Sequence, residues 1–202
     1  MLALQLYQED AAGHFPSNND IGLSPQIWID ELQIYAKSAP VFVCPSDAEI
    51  ESKRDHGFTQ IDDKPTKYPA IPSSYIANGT LMSVYENENE DAPTRSMAET
   101  EIVKPASTVF LCDGAKEASQ LAPYWREEMG DDDVTLDLAQ FGYILRDPSA
   151  AMDGPDNANG FAPNPRHNGR AIVGFVDGHV KSMDLSQWYF PHTPYLDPAR
   201  GG

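Results

Sequence analysis

Cationic side chains are scarce in this sequence of 202 residues. Its 14 lysines and arginines stand against 31 aspartates and glutamates, so the formal net charge is −17. A surface of that charge repels the phosphates of nucleic acids and of anionic lipid headgroups. We therefore expect no nucleic acid partner. The simplest explanation of the charge is solubility, including solubility in a saline habitat.

Long hydrophobic runs are absent as well. The longest apolar runs, such as residues 171–176, are far shorter than the ~20 residues that a membrane-spanning helix requires. The sequence also has no recognisable secretory signal at its N-terminus. We therefore expect the chain, as it stands here, to be soluble.

The motifs of common catalytic sites are missing. The sequence contains no G-x-S-x-G nucleophile elbow, no P-loop, no G-x-G-x-x-G and no H-E-x-x-H. Four histidines are scattered without the spacing of shared metal ligands: His14, His56, His179 and His192. We therefore expect a protein that is not an enzyme. A hydrolase would need a cleft of clustered polar groups, for which the candidates are Asp113, Asp153 and His167.

Cysteine is rare, with only Cys44 and Cys112 and no C-x-x-C motif. In an oxidising compartment the two would be able to pair, and closing so long a loop would stabilise the fold by roughly 4 kcal/mol. Each cysteine also lies in or just after a strand-like run, which suits a small buried apolar side chain. The residues leave both alternatives open, a disulfide and two buried thiols.

What the sequence does contain is a pair of strong turn signals near its C-terminus. Asn168-Gly169 and Asp177-Gly178 enclose seven residues that are mostly apolar or β-prone. Both dipeptides are typical of type I′ turns, in which the two central residues have positive φ. The pattern predicts a turn, a buried strand over residues 170–176, a second turn, and a strand over residues 179–183.

The same stretch resembles a known family. His167, nine intervening residues, and then Asp177-Gly178 match the signature of the prepilin-like H-X9-DG family, whose members resemble type II secretion pseudopilins and type IV pilins. Further segments resemble family elements in the same order along the chain: 3–16, 41–47, 74–79 and 108–114. The resemblance implies an α+β, pilin-like fold, in which an N-terminal helix packs on an antiparallel β-sheet with long loop insertions.

The resemblance also implies one pilin-like domain over residues 1–202. Its expected parts are the end of the N-terminal helix at 1–16, an acidic loop at 86–101, a variable insertion at 115–165 and the motif hairpin at 166–184. Within this scheme, Trp28, Leu32 and Tyr35 share one face of a second predicted helix. Short strands are predicted at residues 41–43 and 109–112.

In function, the resemblance implies a pseudopilin-like structural subunit of a type II secretion or type IV pilus-like filament. Its partners would be other pilin or pseudopilin subunits, bound through a hydrophobic N-terminal helix that this chain lacks and that would be its only membrane anchor. The expected location is the periplasmic face of a bacterial inner membrane or an extracellular filament. The alternative is an extracytoplasmic module that binds polysaccharide or peptide through residues 115–165 and the aromatic tail at 188–195.

The spacing of the motif argues against a catalytic His–Asp pair. A straight strand rises about 3.3 Å per residue, which separates His167 from Asp177 by about 20 Å or more, whereas acid–base partners need hydrogen-bond contact at about 3 Å. We therefore predict structural roles: Asp177-Gly178 forms the turn, and His167, beside Asn168-Gly169, holds the incoming loop.

Calcium is the metal that the resemblance suggests, because the major type II pseudopilins have a calcium site in a C-terminal loop. Calcium takes oxygen ligands from carboxylates and carbonyls. The candidate ligands here are Asp113, Asp153, Asp156 and Asn157. Because Asp-Gly, Asp-Asn and Asn-Gly are also ordinary turn formers, the sequence leaves open whether any cofactor is bound.

Overall fold

A computed structural model describes residues 1–17, 28–47, 60–61, 64–65, 73–82, 95–114, 144–145, 147–148 and 163–202. Two helices of nine residues lie in these ranges, α1 (Leu2–Asp10) and α2 (Trp28–Ala36). Among the described helices, none has both the length and the apolar character required to cross a membrane.

Helix α1 ends inside the segment 1–16, which was expected to contain the end of the N-terminal helix. Ala12 and Gly13 have φ values of 52° and 83°, and the N–H of Gly13 donates to the carbonyl of Gln8 at 2.8 Å. Two successive residues in the left-handed region reverse the chain direction. The helix therefore stops at Asp10, and residues 11–16 lead away from it.

Helix α2 packs against α1 through the face that the sequence predicts. Trp28, Ile29 and Leu32 are buried, and the Tyr35 hydroxyl donates to an Asp10 carboxylate oxygen at 3.0 Å. The segment after α2 is a 3-10 helix, Ala39–Phe42, so the strand predicted at 41–43 is wrong. Proline lies at the start of this turn, where its fixed φ favours a helical conformation.

The core of the fold is a mixed sheet of five strands with the order β5-β3-β4-β6-β7. Its members are β3 (Tyr75–Asn78), β4 (Val109–Asp113), β5 (Ile144–Leu145), β6 (Ala171–Phe175) and β7 (Val180–Met183). A separate antiparallel hairpin consists of β1 (Gln60–Ile61) and β2 (Lys64–Pro65). The class is therefore α+β.

The pairing in this sheet departs from the expected antiparallel sheet at one edge. Strands β3, β4, β6 and β7 are antiparallel neighbours. The two-residue strand β5 instead pairs with β3 in parallel. Because that strand comes from the 115–165 segment, whose sequence has no regular pattern, its direction was not predictable from the residues.

The motif hairpin forms as predicted, but its two turns differ. Asn168 and Gly169 both have positive φ, 55° and 82°, and His167 and Arg170 exchange backbone hydrogen bonds of 3.0 and 3.1 Å across a type I′ turn. At the second turn, Asp177 is not among the positive-φ residues, whereas Gly178 has φ 93°. The second turn is therefore a three-residue loop with glycine in the left-handed position, and the type I′ prediction there is wrong.

Aromatic rings join the helices to the sheet. Phe110 of β4 stacks on Phe15 at a centroid distance of 5.7 Å and meets the edge of Trp28 at 6.4 Å. Trp28 also contacts Phe42 at 6.0 Å. All four rings are buried, so this aromatic cluster packs α2, the segment after α1 and the 3-10 helix against the sheet.

Part of the predicted acidic loop 86–101 belongs to the fold. The N–H of Phe15 donates to the carbonyl of Met97, and the N–H of Met97 donates to that of Leu81, both at 2.9 Å. Arg95 and Glu101 form a two-point ion pair at 2.8 Å. Residues 95–101 are therefore anchored beside α1, while 86–94 lie outside the described residues.

Candidate functional site

The side chain of Arg166 connects four segments at one end of the sheet. Its Nη1 lies 2.6 Å from Oδ2 of Asp47, and its Nε lies 3.9 Å from Oδ1 of Asp113. Its Nη2 donates to the carbonyl oxygens of Gly114 and Ser74. The guanidinium is only 6% exposed and the two carboxylates 3% and 0%, so this is a buried charge cluster.

His167, the histidine of the motif, faces this cluster and not Asp177. Its Nε2 lies 3.4 Å from Oδ2 of Asp113 and 3.5 Å from Sγ of Cys44. The imidazole is 30% exposed, so one side of it reaches solvent. These contacts attach the loop before β6 to the end of β4 and to the segment around Cys44.

Asp113 is the fully buried centre of the cluster. Its Oδ2 accepts the backbone N–H of Ile172 at 2.6 Å. Burial raises the pKa of Asp113, against the opposing effects of that N–H, of Arg166 and of His167. Tyr75 is the register partner of Asp113 across β3 and β4, and burial together with the nearby Cys44 and Asp113 raises the pKa of the Tyr75 phenol to about 12.

The geometry of the three side chains differs from that of a nucleophile–histidine–carboxylate relay. In such a relay one ring nitrogen contacts the nucleophile and the other contacts the carboxylate. Here Cys44 and Asp113 both approach Nε2 of His167. The structure thus brings together two members of the candidate hydrolase set, Asp113 and His167, without that relay, and the third, Asp153, lies outside the described residues.

Asp177 has a separate role in the second turn. Its carboxylate accepts the backbone N–H of His179 at 3.1 Å and lies 2.5 Å from Nδ1 of that ring. The His179 ring stacks on Phe175 at 4.2 Å. Asp177 and His167 therefore each contact their own partners at opposite ends of β6.

We expect Asp177 to contribute a small stabilisation that depends on pH. Partial desolvation acts to raise its pKa, but the hydrogen bonds from His179 outweigh it and lower the pKa. A lowered carboxyl pKa stabilises the fold above the ordinary value near 4, and the contribution is lost as pH falls through the folded-state pKa. Asp177→Asn should lower the free energy of unfolding by about 0.5 kcal/mol or less at pH 7, because the group is exposed.

Urea denaturation of wild type and Asp177→Asn between pH 7 and pH 2 measures this difference. It should shrink as the pH falls below about 4, the ordinary carboxyl pKa. A difference that stays constant over that range would show that the charge of Asp177 does not contribute.

Of the two alternatives that the sequence leaves open for the cysteines, the structure has two buried free thiols and no disulfide between them. Neighbouring residues of a strand point to opposite faces, so Cys112 and Asp113 lie on opposite sides of the sheet. Cys44 lies on the side of Asp113, with Sγ and the carboxylate less than 4.8 Å apart. The sheet therefore separates the thiols. Burial raises the pKa of the Cys112 thiol well above its ordinary value.

The calcium prediction rests on one described residue. The described neighbours of the Asp113 side chain are a guanidinium, an imidazole and a thiol, whereas calcium takes oxygen ligands. The three other predicted ligands lie outside the described residues: Asp153, Asp156 and Asn157.

The aromatic tail packs into the domain. Trp188 and Tyr189 are 0% and 1% exposed, and Phe190 is 37% exposed. The binding-module alternative requires exposed rings for stacking on a sugar, and Trp188 and Tyr189 do not provide them, while Tyr195 is half-buried. Residues 115–143, also part of that alternative, lie outside the described ranges.

Two members of the charge cluster were missed from the sequence, Asp47 and Arg166. Each stands close to a residue that the motifs single out, since Asp47 follows Cys44 by three positions and Arg166 precedes His167. Arginine in a chain with so few cations is a signal that a carboxylate partner is near, but it does not say which of the 31 acidic residues it is.

The fold and the site together define an α+β protein with a buried Arg–Asp cluster, bordered by a histidine and a thiol, at one end of its sheet. No family model, curated protein or solved structure matches this chain.

Proposed function

We propose that this domain is the non-catalytic, pilin-like head of a structural subunit in a type II secretion or type IV pilus-like filament. The observation that carries the proposal is the exposed apolar face of the first helix. Leu2 is 69% exposed and Leu6 is 38% exposed. Because the two lie four positions apart on α1, they occupy one face of that helix.

The opposite face of α1 is held by the domain. Leu4 is buried. The Met1 side chain packs on the sheet beside Gly174, where a Cβ atom would lie 3.1 Å from the Met1 sulfur. A helix fixed in this way presents Leu2 and Leu6 as a rigid apolar surface. Burying the exposed part of each leucine would contribute a fraction of the about 1.5–3 kcal/mol that a fully buried leucine gives, and a glutamate in its place would add the cost of removing a carboxylate from water.

The motif residues support a structural role and not a catalytic one. His167 and Asp177 contact different partners at the two ends of β6, and His167 uses one nitrogen toward both Cys44 and Asp113. The net charge of −17 disfavours a nucleic acid or anionic lipid partner. Other pilin-like subunits are therefore the proposed partners, at the periplasmic face of the inner membrane or in an extracellular filament.

The proposal is tested by introducing Leu2→Glu and Leu6→Glu separately in the native organism and measuring the assembly of each variant into filaments. Each change should lower the amount of protein recovered in sheared filaments by about ten-fold or more, because each 1.4 kcal/mol of lost association energy is a factor of ten. The matched control is Val103→Glu, an apolar residue that is 63% exposed and distant in sequence from α1.

Quantitative mass spectrometry of the membrane and sheared fractions gives the readout, including any peptide upstream of Leu2. A hydrophobic upstream segment that begins with an N-methylated residue would support a processed pilin-like subunit. Wild-type protein absent from both fractions would contradict the proposal, as would equal recovery of the Leu2, Leu6 and Val103 variants.

A further inference from the structure

Three potential metal ligands meet beside the charge cluster. The Sγ atom of Cys44, a carboxylate oxygen of Asp113 and a ring nitrogen of His167 lie within 4.8 Å of one another. They come from three separate parts of the chain: the segment after the 3-10 helix, the end of β4, and the loop that leads into β6. A structural role in tying segments together does not by itself explain why these particular atoms converge.

Two of the three distances match edges of a tetrahedral metal site, and the third, from sulfur to the carboxylate oxygen, is within 4.8 Å. Zinc binds thiolate sulfur at about 2.3 Å and imidazole nitrogen or carboxylate oxygen at about 2.0–2.2 Å, which at tetrahedral angles separates sulfur from nitrogen by about 3.5 Å and nitrogen from oxygen by about 3.4 Å. The observed separations are 3.5 Å from Sγ of Cys44 to Nε2 of His167, and 3.4 Å from that nitrogen to Oδ2 of Asp113.

One hydrogen bond from His167 does not account for both of its contacts. Nε2 of His167 faces both a thiol and a carboxylate, and a single N–H can point to only one of them. If that nitrogen is unprotonated, its lone pair faces the Asp113 carboxylate. A cation between the three atoms would attract all of them at once.

Asp113 supplies the buried carboxylate of this group. Its side chain is 0% exposed. Its Oδ2, the oxygen 3.4 Å from His167, accepts the N–H of Ile172, whereas its Oδ1, beside Arg166, accepts no hydrogen bond within the part of the chain that the structure describes. Arg166 is the nearby cation, but it lies 2.6 Å from Asp47 and 3.9 Å from Asp113. Arg166 therefore makes its shorter contact with Asp47 and not with Asp113.

We propose that Cys44, Asp113 and His167 bind one zinc-class transition metal ion, with water as the fourth ligand. The thiolate and imidazole donors favour such an ion over calcium or magnesium, which take oxygen ligands. The ion enters from the exposed side of His167 and links the three segments. This inference is independent of the proposed filament role.

Metal binding by the full 202-residue chain tests the proposal. Protein freed of metal under a non-thiol reductant is titrated with zinc chloride against a chromophoric chelator, and separately with cobalt chloride. We expect one ion per chain, and a cobalt spectrum with a thiolate charge-transfer band and the d–d bands of tetrahedral cobalt. Zinc should also raise the Tm of the wild-type protein.

The decisive variants are Cys44→Ser and His167→Gln, with Cys112→Ala as the matched cysteine control. Each of the first two should weaken zinc binding more than about 100-fold, since changes to the outer-shell partners of a ligand already cost about 10–100-fold. The control should bind as wild type does, because Cys112 lies on the opposite face of the sheet.

Several results would overturn the proposal. Wild-type protein that binds no stoichiometric zinc, or cobalt bound without the thiolate band, would do so. Equal binding by Cys44→Ser and Cys112→Ala would assign the metal to surface carboxylates or other histidines. Circular dichroism checks the fold of each variant. If Cys44→Ser fails to fold, the wild-type cobalt spectrum and His167→Gln, a change at a partly exposed side chain, still decide.

Discussion

Replacing Arg166 with methionine should lower the free energy of unfolding by about 3–5 kcal/mol, the usual cost of removing one partner from a buried ion pair. Asp47 and Asp113 are 3% and 0% exposed, so neither carboxylate can regain the lost interaction from water. The carbonyl of Gly114 loses its guanidinium donor as well, and the carbonyl of Ser74 keeps only the N–H of Gly114. Urea denaturation at neutral pH, followed by circular dichroism, measures the change.

The matched control is Arg170→Met. The side chain of Arg170 is 45% exposed and lies 3.9 Å from Asp184, which is 51% exposed, so its loss should cost about 1 kcal/mol or less. Similar losses for the two arginine variants would contradict a special role for the buried cluster.

Arg166→Lys separates charge from shape. Lysine keeps the positive charge but lacks the planar fork that contacts a carboxylate and carbonyls together. We expect Arg166→Lys to lower the free energy of unfolding, but by less than Arg166→Met does. A lysine variant as unstable as the methionine variant would show that the hydrogen-bonding geometry, and not the charge, holds the cluster.

Replacing Phe110 with alanine should lower the free energy of unfolding by about 3–5 kcal/mol, the usual cost of truncating a buried phenylalanine. Phe110 is 0% exposed and contacts Phe15 and Trp28, at centroid distances of 5.7 and 6.4 Å. Its removal takes away the ring that connects α2 and the segment after α1 to β4. Urea denaturation measures the loss, and near-ultraviolet circular dichroism reports the change around Trp28.

Val103→Ala is the control for this change, because Val103 is 63% exposed and such surface substitutions usually cost within about 0.5 kcal/mol. Phe110→Leu should cost less than Phe110→Ala, since leucine refills much of the cavity. A loss for Phe110→Ala no larger than that for Val103→Ala would contradict the packing of the helices on the sheet through this ring.

The elements predicted correctly from the sequence are those that short-range preferences decide. Asn168-Gly169 favours positive φ at both residues, and the type I′ turn there has values of 55° and 82°. The spacing of Trp28 and Leu32 places them on one helical face, and both are buried. Strand β6 follows from the mostly apolar run between two turn dipeptides, and β7 follows the second of them.

The two local predictions that were wrong concern short segments whose residues are compatible with more than one backbone conformation. At Asp177-Gly178 the flanking strands select a three-residue loop, so only Gly178 takes positive φ. At residues 39–42 a proline turn replaces a predicted strand. In both places the dipeptide or tripeptide is compatible with two conformations, and the packing of the surrounding chain selects one.

Whereas the α+β class was expected from the family resemblance, the sequence by itself determined the helix around Trp28, the motif hairpin and the separation of His167 from Asp177. These depend on backbone preferences and periodicity within a few residues. Only the tertiary structure decided which groups meet: Cys44 contacts His167 across 123 positions of sequence, Arg166 pairs with Asp47, and the sheet keeps Cys44 from Cys112. Contacts between distant residues depend on the path of the whole chain, and no local pattern specifies that path.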